Sequence, residues 1–223
     1  EPQDDVRHYI NQFVHIVNAA HNFPLKCHSP TTLFSQTSSK WLDEGDNRPK
    51  IACYFGGIKK GTRYYPTALA ETALRKIAKD LNGQLILLGD AQEQEENEKL
   101  QLRLQAEGIH IDNLAGRTSL TQLVDLIANI DCLITIDSSP LHIAAAVKTP
   151  FVAVVTKGSS PWSRVEPKVD FGVSLLPDGH FISDHDQAHG INPERIANAV
   201  LNTLVKENRQ KYLHNVVSEM KQN

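Results

Sequence analysis

From Ile51 onward the chain alternates short, mostly apolar runs with longer stretches whose apolar residues recur every three or four positions. A short continuous apolar run fits a strand buried on both faces, and the three-to-four spacing fits one face of a helix. The strand candidates are Ile51–Phe55, Leu85–Leu88, His110–Asn113, Cys132–Ile136, Phe151–Val155 and Gly172–Leu176. Between them lie helical stretches at Pro66–Leu81, Glu93–Glu107, Leu120–Asn129 and Leu141–Val147, and a last helix runs from Pro193 to about Lys211. Ser119 with Gln122 three residues on spells a capping box, and Pro66, Pro140 and Pro193 suit the first position of a helix. Strand-helix repeats of this kind predict an α/β fold, a doubly wound parallel sheet of about six strands with helices on both faces.

Such a sheet fixes where chemistry can sit. Right-handed crossovers return every strand to the same direction, so each loop that follows a strand gathers on one edge, and ligands bind at that carboxyl edge. The loops expected there are Gly56–Tyr65, Gly89–Gln92, Leu114–Thr118, Asp137–Ser139 and Thr156–Arg164.

Upstream, Val6, Ile10, Phe13, Val14 and Val17 mark a helix between Asp4 and His21, and the stretch from Asn22 to Pro49 reads as a linker. The expected organisation is a linker helix and interdomain segment over 1–49, a ligand-binding domain over 50–205 and a C-terminal helical extension over 206–223. The chain opens on Glu1 rather than methionine, so a further upstream segment is expected. A net charge of −3 argues against a nucleic-acid partner. No apolar run approaches the roughly 18 residues that cross a bilayer, and the first residues carry no signal-peptide pattern, so a cytoplasmic protein is expected. Cys27, Cys53 and Cys132 are far apart, two of them in strand-like runs, which predicts buried reduced thiols.

The most informative segment runs from Leu133 to Ala146, where an apolar strand ends in Asp137-Ser138-Ser139 and a small-residue helix begins at Pro140. A helix N-terminus presents N–H groups and a partial positive charge, suited to a phosphate, and adjacent hydroxyls add donors. Asp137 repels phosphate and suits sugar hydroxyls or a cation from another loop. The residues alone leave a second reading open, in which Ser139 only caps the helix and Asp137 bonds nearby backbone. The loop after the first strand carries Lys59, Lys60 and Arg63. The two lysines fit a solvated basic turn, whereas Arg63, just before a helix start, suits a diphosphate that it can bind through two parallel hydrogen bonds. Glu93 opens a run with Glu95, Glu96 and Glu98 that would ordinarily be a solvated helix start. Asp184, His185, Asp186 and His189 form a polar loop rather than a metal site.

The run from Leu114 to Val155, with Ala115-Gly116-Arg117-Thr118-Ser119-Leu120 followed by Asp137-Ser138-Ser139-Pro140-Leu141-His142 and Thr149-Pro150, resembles the C-terminal domain of the heptosyltransferase family, glycosyltransferase family nine, with its GT-B fold. Ser139 stands where the family has glycine. Arg63-Tyr64-Tyr65-Pro66 is similar to the family's Lys-x-Trp-Pro element, with arginine for lysine and tyrosine for tryptophan, and Gly89 to Glu93 matches a strand-then-glycine element whose glutamate binds the nucleotide ribose.

The resemblance implies a Rossmann-like half of a GT-B architecture that transfers heptose from ADP-heptose to a lipopolysaccharide core acceptor. It assigns catalytic roles to Arg63, Asp137 and His142, with Glu93, Gly116, Thr118, Ser138 and Ser139 holding the nucleotide sugar. The donor is then a substrate, with no cofactor and no metal. The implied partners are the ADP-sugar, the lipopolysaccharide acceptor and an N-terminal acceptor domain, which residues 1–49 do not supply, so that this stretch alone would bind donor without transferring it. Peripheral inner-membrane contact is also implied. Two alternatives stay open: a non-catalytic nucleotide-sugar-binding module, and a GT-B enzyme using another nucleotide sugar.

Overall fold

The computed structural model describes residues 39–43, 45–56, 63–156, 161–177 and 190–206. The expected helix at Asp4–His21, Cys27, the pair Lys59 and Lys60, the loop from Asp184 to His189 and the extension after Lys206 lie outside the described residues.

The strands are β1 (Lys50–Tyr54), β2 (Gln84–Leu87), β3 (Ile111–Asn113), β4 (Cys132–Thr135), β5 (Phe151–Val154) and β6 (Gly172–Leu175). The helices are α1 (Thr67–Leu81), α2 (Gln94–Gln105), α3 (Leu120–Ala128), α4 (Ser139–Val147), α5 (Trp162–Val165) and α6 (Pro193–Lys206). All the strand pairs are parallel, in the order β3-β2-β1-β4-β5-β6. α1 packs on α2 and α6, and α3 on α4, which sorts the helices into groups flanking the sheet. Every residue of β1, β2, β4 and β5 is buried, as an uninterrupted apolar run requires when helices cover both faces.

The sequence places each of these strands to within a residue or so at either end. Its helix from Leu141 instead begins at Ser139, because Ser138 is the extended residue before the helix and Pro140 sits inside the first turn. Pro66 likewise is the residue before α1 rather than its first, while Pro193 opens α6. α5 falls in the loop expected over Thr156–Arg164; a single turn between Pro161 and Pro167 is too short to show a period. Cys53 and Cys132 are buried thiols, and burial pushes the Cys53 thiol well up from its ordinary range.

The amino edge of the sheet is tied down opposite the loops of interest. The Asp46 carboxylate accepts from the Arg48 guanidinium at 2.6 Å, which lowers its pKa to about 2, and Lys50 Nζ donates to the Asp46 carbonyl at 2.6 Å. Lys50 and Asp131 then join β1 to the start of β4: the Lys50 N–H donates to Asp131 Oδ2 and the Asp131 N–H to the Lys50 carbonyl, both at 2.8 Å.

Candidate functional site

In the strand order β3-β2-β1-β4-β5-β6, successive strands step one way from β1 to β3 and the other way from β4 to β6. The crevice outside the carboxyl ends of β1 and β4 is therefore the topological switch point, where such sheets take their ligands. The loops after β1 and β4 carry Arg63 and Asp137.

Gly56 shows how closely they approach. Its φ is +68°, and a Cβ there would stand 2.4 Å from the Arg63 carbonyl oxygen and 2.8 Å from Ile136 Cδ1. The start of the β1 loop, the backbone at Arg63 and the residue before Asp137 thus meet around one glycine, which has no side chain to separate them. The Tyr65 N–H donates to the Phe55 carbonyl at 2.8 Å and closes the neck of the loop. Tyr65 itself is 1% exposed, packs its ring 5.8 Å from that of Phe55 and donates its hydroxyl to the Ile191 carbonyl at 2.6 Å. Tyr65 is therefore the anchor that brings Arg63, half-buried two residues earlier, back to the sheet edge.

At the β4 end, the two serines differ. Ser138 Oγ lies 3.1 Å from both Thr135 Oγ1 and the Ile136 carbonyl, so that hydroxyl is turned back into the strand end. Ser139 is exposed and is the first residue of α4. Pro140 has no N–H, and the Leu141 N–H donates to the Ser138 carbonyl at 3.1 Å, so the donors of this helix start are fewer than a general helix N-terminus offers. Asp137 is half-buried, with its Oδ1 3.8 Å from His142 Nε2, beyond hydrogen-bond reach. The His142 side chain is 53% exposed and sits one turn into α4.

The loops after β2 and β3 are docked on each other. The Leu114 N–H donates to the Leu87 carbonyl at 2.9 Å, and the Gly116 N–H to the Gly89 carbonyl at 3.0 Å. The Gly116 amide thus holds loop to loop. Thr118 is half-buried, ahead of the Ser119 cap of α3. Glu93 departs from the solvated-run expectation: it is 4% exposed, while Gln92, Gln94 and Glu95 beside it are exposed.

Two features of this edge have little trace in the sequence. Tyr54, read there only as a strand residue, donates its hydroxyl to Glu93 Oε1 at 3.1 Å; its place one residue before the expected end of the strand at Phe55 was the available signal. Trp41, in the stretch read as linker, lies under the Arg117 guanidinium, 5.1 Å from the ring centroid, so this segment rests on the loop after β3. Among the described residues no group of three or more His, Cys, Asp or Glu side chains could hold a metal ion, and no helix is long and apolar enough to cross a membrane.

Fold and site together define a Rossmann-like α/β domain whose β1 and β4 loops meet at its switch point. The chain matches the model of glycosyltransferase family 9 (heptosyltransferase) over residues 2–164 and belongs to that family. It is 31% identical over 180 residues to lipooligosaccharide heptosyltransferase 2 of Haemophilus ducreyi, a match covering 73% of this chain and 50% of that protein. Its fold is similar to that of the ADP-heptose lipopolysaccharide heptosyltransferase II of Escherichia coli, with a TM-score of 0.70 at 24% identity, covering 85% of this chain and 57% of that one. A second E. coli heptosyltransferase, solved with ADP, aligns with a TM-score of 0.65 at 14% identity over 88% of this chain and 57% of that one. The chain spans about half the length of the curated relatives it matches.

Proposed function

We propose that this chain is the donor-binding half of a heptosyltransferase: it holds ADP-heptose at the β1/β4 switch point for transfer to a lipopolysaccharide core sugar. The observation that carries the reading is the convergence around Gly56 of the loops bearing Arg63 and Asp137, with the buried carboxylate of Glu93 in the connection that follows the neighbouring strand β2. Family membership supplies the reaction class, and the E. coli relative solved with ADP supports the adenine nucleotide.

In this reading an acceptor hydroxyl attacks the anomeric carbon of the donor, the bond from that carbon to the diphosphate oxygen breaks, ADP departs with the bonding electrons, and the hydroxyl proton is released to solvent. The protein's part is to stabilise the charge that gathers on the diphosphate. Arg63 does so with a planar cation, and the exposed Ser139 and His142 at the start of α4 add donors. Asp137 orients sugar hydroxyls, Glu93 the ribose, and Gly116 and Thr118 shape the wall that takes the base. The lipopolysaccharide acceptor brings the protein to a membrane surface.

Because the proposed phosphate ligands are protein groups, ADP binding measured by calorimetry is expected to be the same with and without a chelator, and tighter than UDP or GDP binding. Arg63→Ala is expected to weaken ADP about tenfold to a hundredfold, the equivalent of about 1.5–3 kcal/mol for a hydrogen bond to a charged group. Binding that vanishes in chelator, or an Arg63→Ala protein that binds ADP as wild type does, would overturn the arrangement.

A further inference from the structure

The Glu93 carboxylate is gripped at both oxygens. The Tyr54 hydroxyl donates to Oε1 at 3.1 Å, and the Asp90 N–H to Oε2 at 2.8 Å. These donors come from neighbouring strands, since Tyr54 ends β1 and Asp90 lies in the connection that follows β2. A Cβ on Gly89 would stand 2.8 Å from Oε2 and 3.1 Å from Glu93 Cβ, so the glutamate side chain folds down onto bare backbone there. Within an acidic stretch where Glu95 and Glu98 are exposed and the half-buried Glu96 accepts from the Thr67 hydroxyl, one carboxylate has been drawn fully inward and supplied with donors. Burial of a carboxylate is costly without such partners.

Both donors are needed to fix the group. The terminal torsion of a glutamate is broad, so a single hydrogen bond to one oxygen leaves the carboxylate plane free to swing. The Tyr54 ring is itself buried, 7% exposed, and holds its hydroxyl at a fixed height on the end of β1. With one donor on each oxygen, Tyr54 and Asp90 together set its plane.

We propose that Tyr54 is a positioning residue for nucleotide recognition: its hydroxyl holds the Glu93 carboxylate in the orientation that receives the two ribose hydroxyls of the donor, and so sets the preference for a ribonucleotide. The inference rests on the assignment of Glu93 to the ribose made above.

The test is the affinity of the chain for ADP and for 2′,3′-dideoxy-ADP, which lacks both hydroxyls, in wild type, Tyr54→Phe and Glu93→Ala. Tyr54→Phe keeps the ring that fills the core; should a thermal melt show that it does not fold, Tyr54→Met, of similar length and without a donor, carries the same comparison. Tyr54→Phe is expected to lower ADP affinity about threefold to tenfold, the usual worth of one hydrogen bond, and to leave the dideoxy nucleotide unchanged. A role confined to packing would lower both alike and overturn the inference. Glu93→Ala separates the two levels of the argument. If it leaves ADP affinity at the wild-type value, the ribose assignment fails and takes the Tyr54 role with it. If it weakens ADP while Tyr54→Phe leaves the ratio of the two nucleotides unchanged, only the positioning role fails.

Discussion

Gly56 carries more of this site than any side chain around it. An alanine there would need a positive φ that L residues rarely adopt, and its Cβ would lie 2.4 Å from the Arg63 carbonyl, with backbone rather than a yielding side chain in the way. Gly56→Ala is therefore expected to destabilise the fold by about 1–3 kcal/mol, the range of a strained backbone position. It should also weaken ADP, because relief of the clash pushes Arg63 away from β4. Denaturant midpoints and calorimetry on the same variant check both; wild-type stability with wild-type affinity would mean that the loop neck does not place Arg63. The sequence shows a glycine and an arginine seven positions apart in a loop after a strand, and nothing in it shows that they touch. That contact depends on the Tyr65 anchor, whose hydroxyl reaches Ile191 from more than a hundred residues away in the chain.

Local signals of the elements proved easier to read than the directions of their side chains. The capping box at Ser119 is present in full: the Gln122 N–H donates to Ser119 Oγ at 3.3 Å, and the Ser119 N–H donates to Gln122 Oε1 at 3.0 Å. Ser119→Ala is expected to cost about 0.5–2 kcal/mol in a denaturant titration, the usual worth of an N-cap, and to leave ADP affinity near wild type. A large loss of affinity at wild-type stability would instead place Ser119 against the ligand. Caps are legible because their partners lie three residues apart. Ser138 and Ser139, by contrast, look equivalent in the sequence, and only the fold shows that one hydroxyl is turned onto Thr135 while the other faces solvent. Glu93 is hidden in the same way: a run of four glutamates looks uniformly solvated until Tyr54 and the Asp90 amide select one of them.

At the scale of the molecule, alternation of runs and periods fixed that the sheet is parallel, but not the order of its strands. Order is decided by where the chain goes after β3, and here it crosses back to lay β4 beside β1. That crossover creates the switch point, and with it a prediction about where a ligand is felt. A nucleotide bound between the β1 and β4 loops touches the centre of the sheet edge, while β6 lies two strands away from β4 on the far side. At a hundred times its dissociation constant, ADP should stabilise the chain by about 2.7 kcal/mol through linkage alone. Backbone hydrogen exchange should show where that stabilisation lands. Amides around Tyr65, Asp90 to Glu93 and Ser139 to His142 are expected to gain protection beyond the global increase, because they lie at the sheet edge the ligand contacts, where local opening costs less than global unfolding. Those of Gly172 to Leu175 in β6 should follow the global increase only. Protection concentrated along β5 and β6, with the β1 and β4 loops unchanged, would move the nucleotide off the switch point and release Arg63 and Asp137 from their assigned roles.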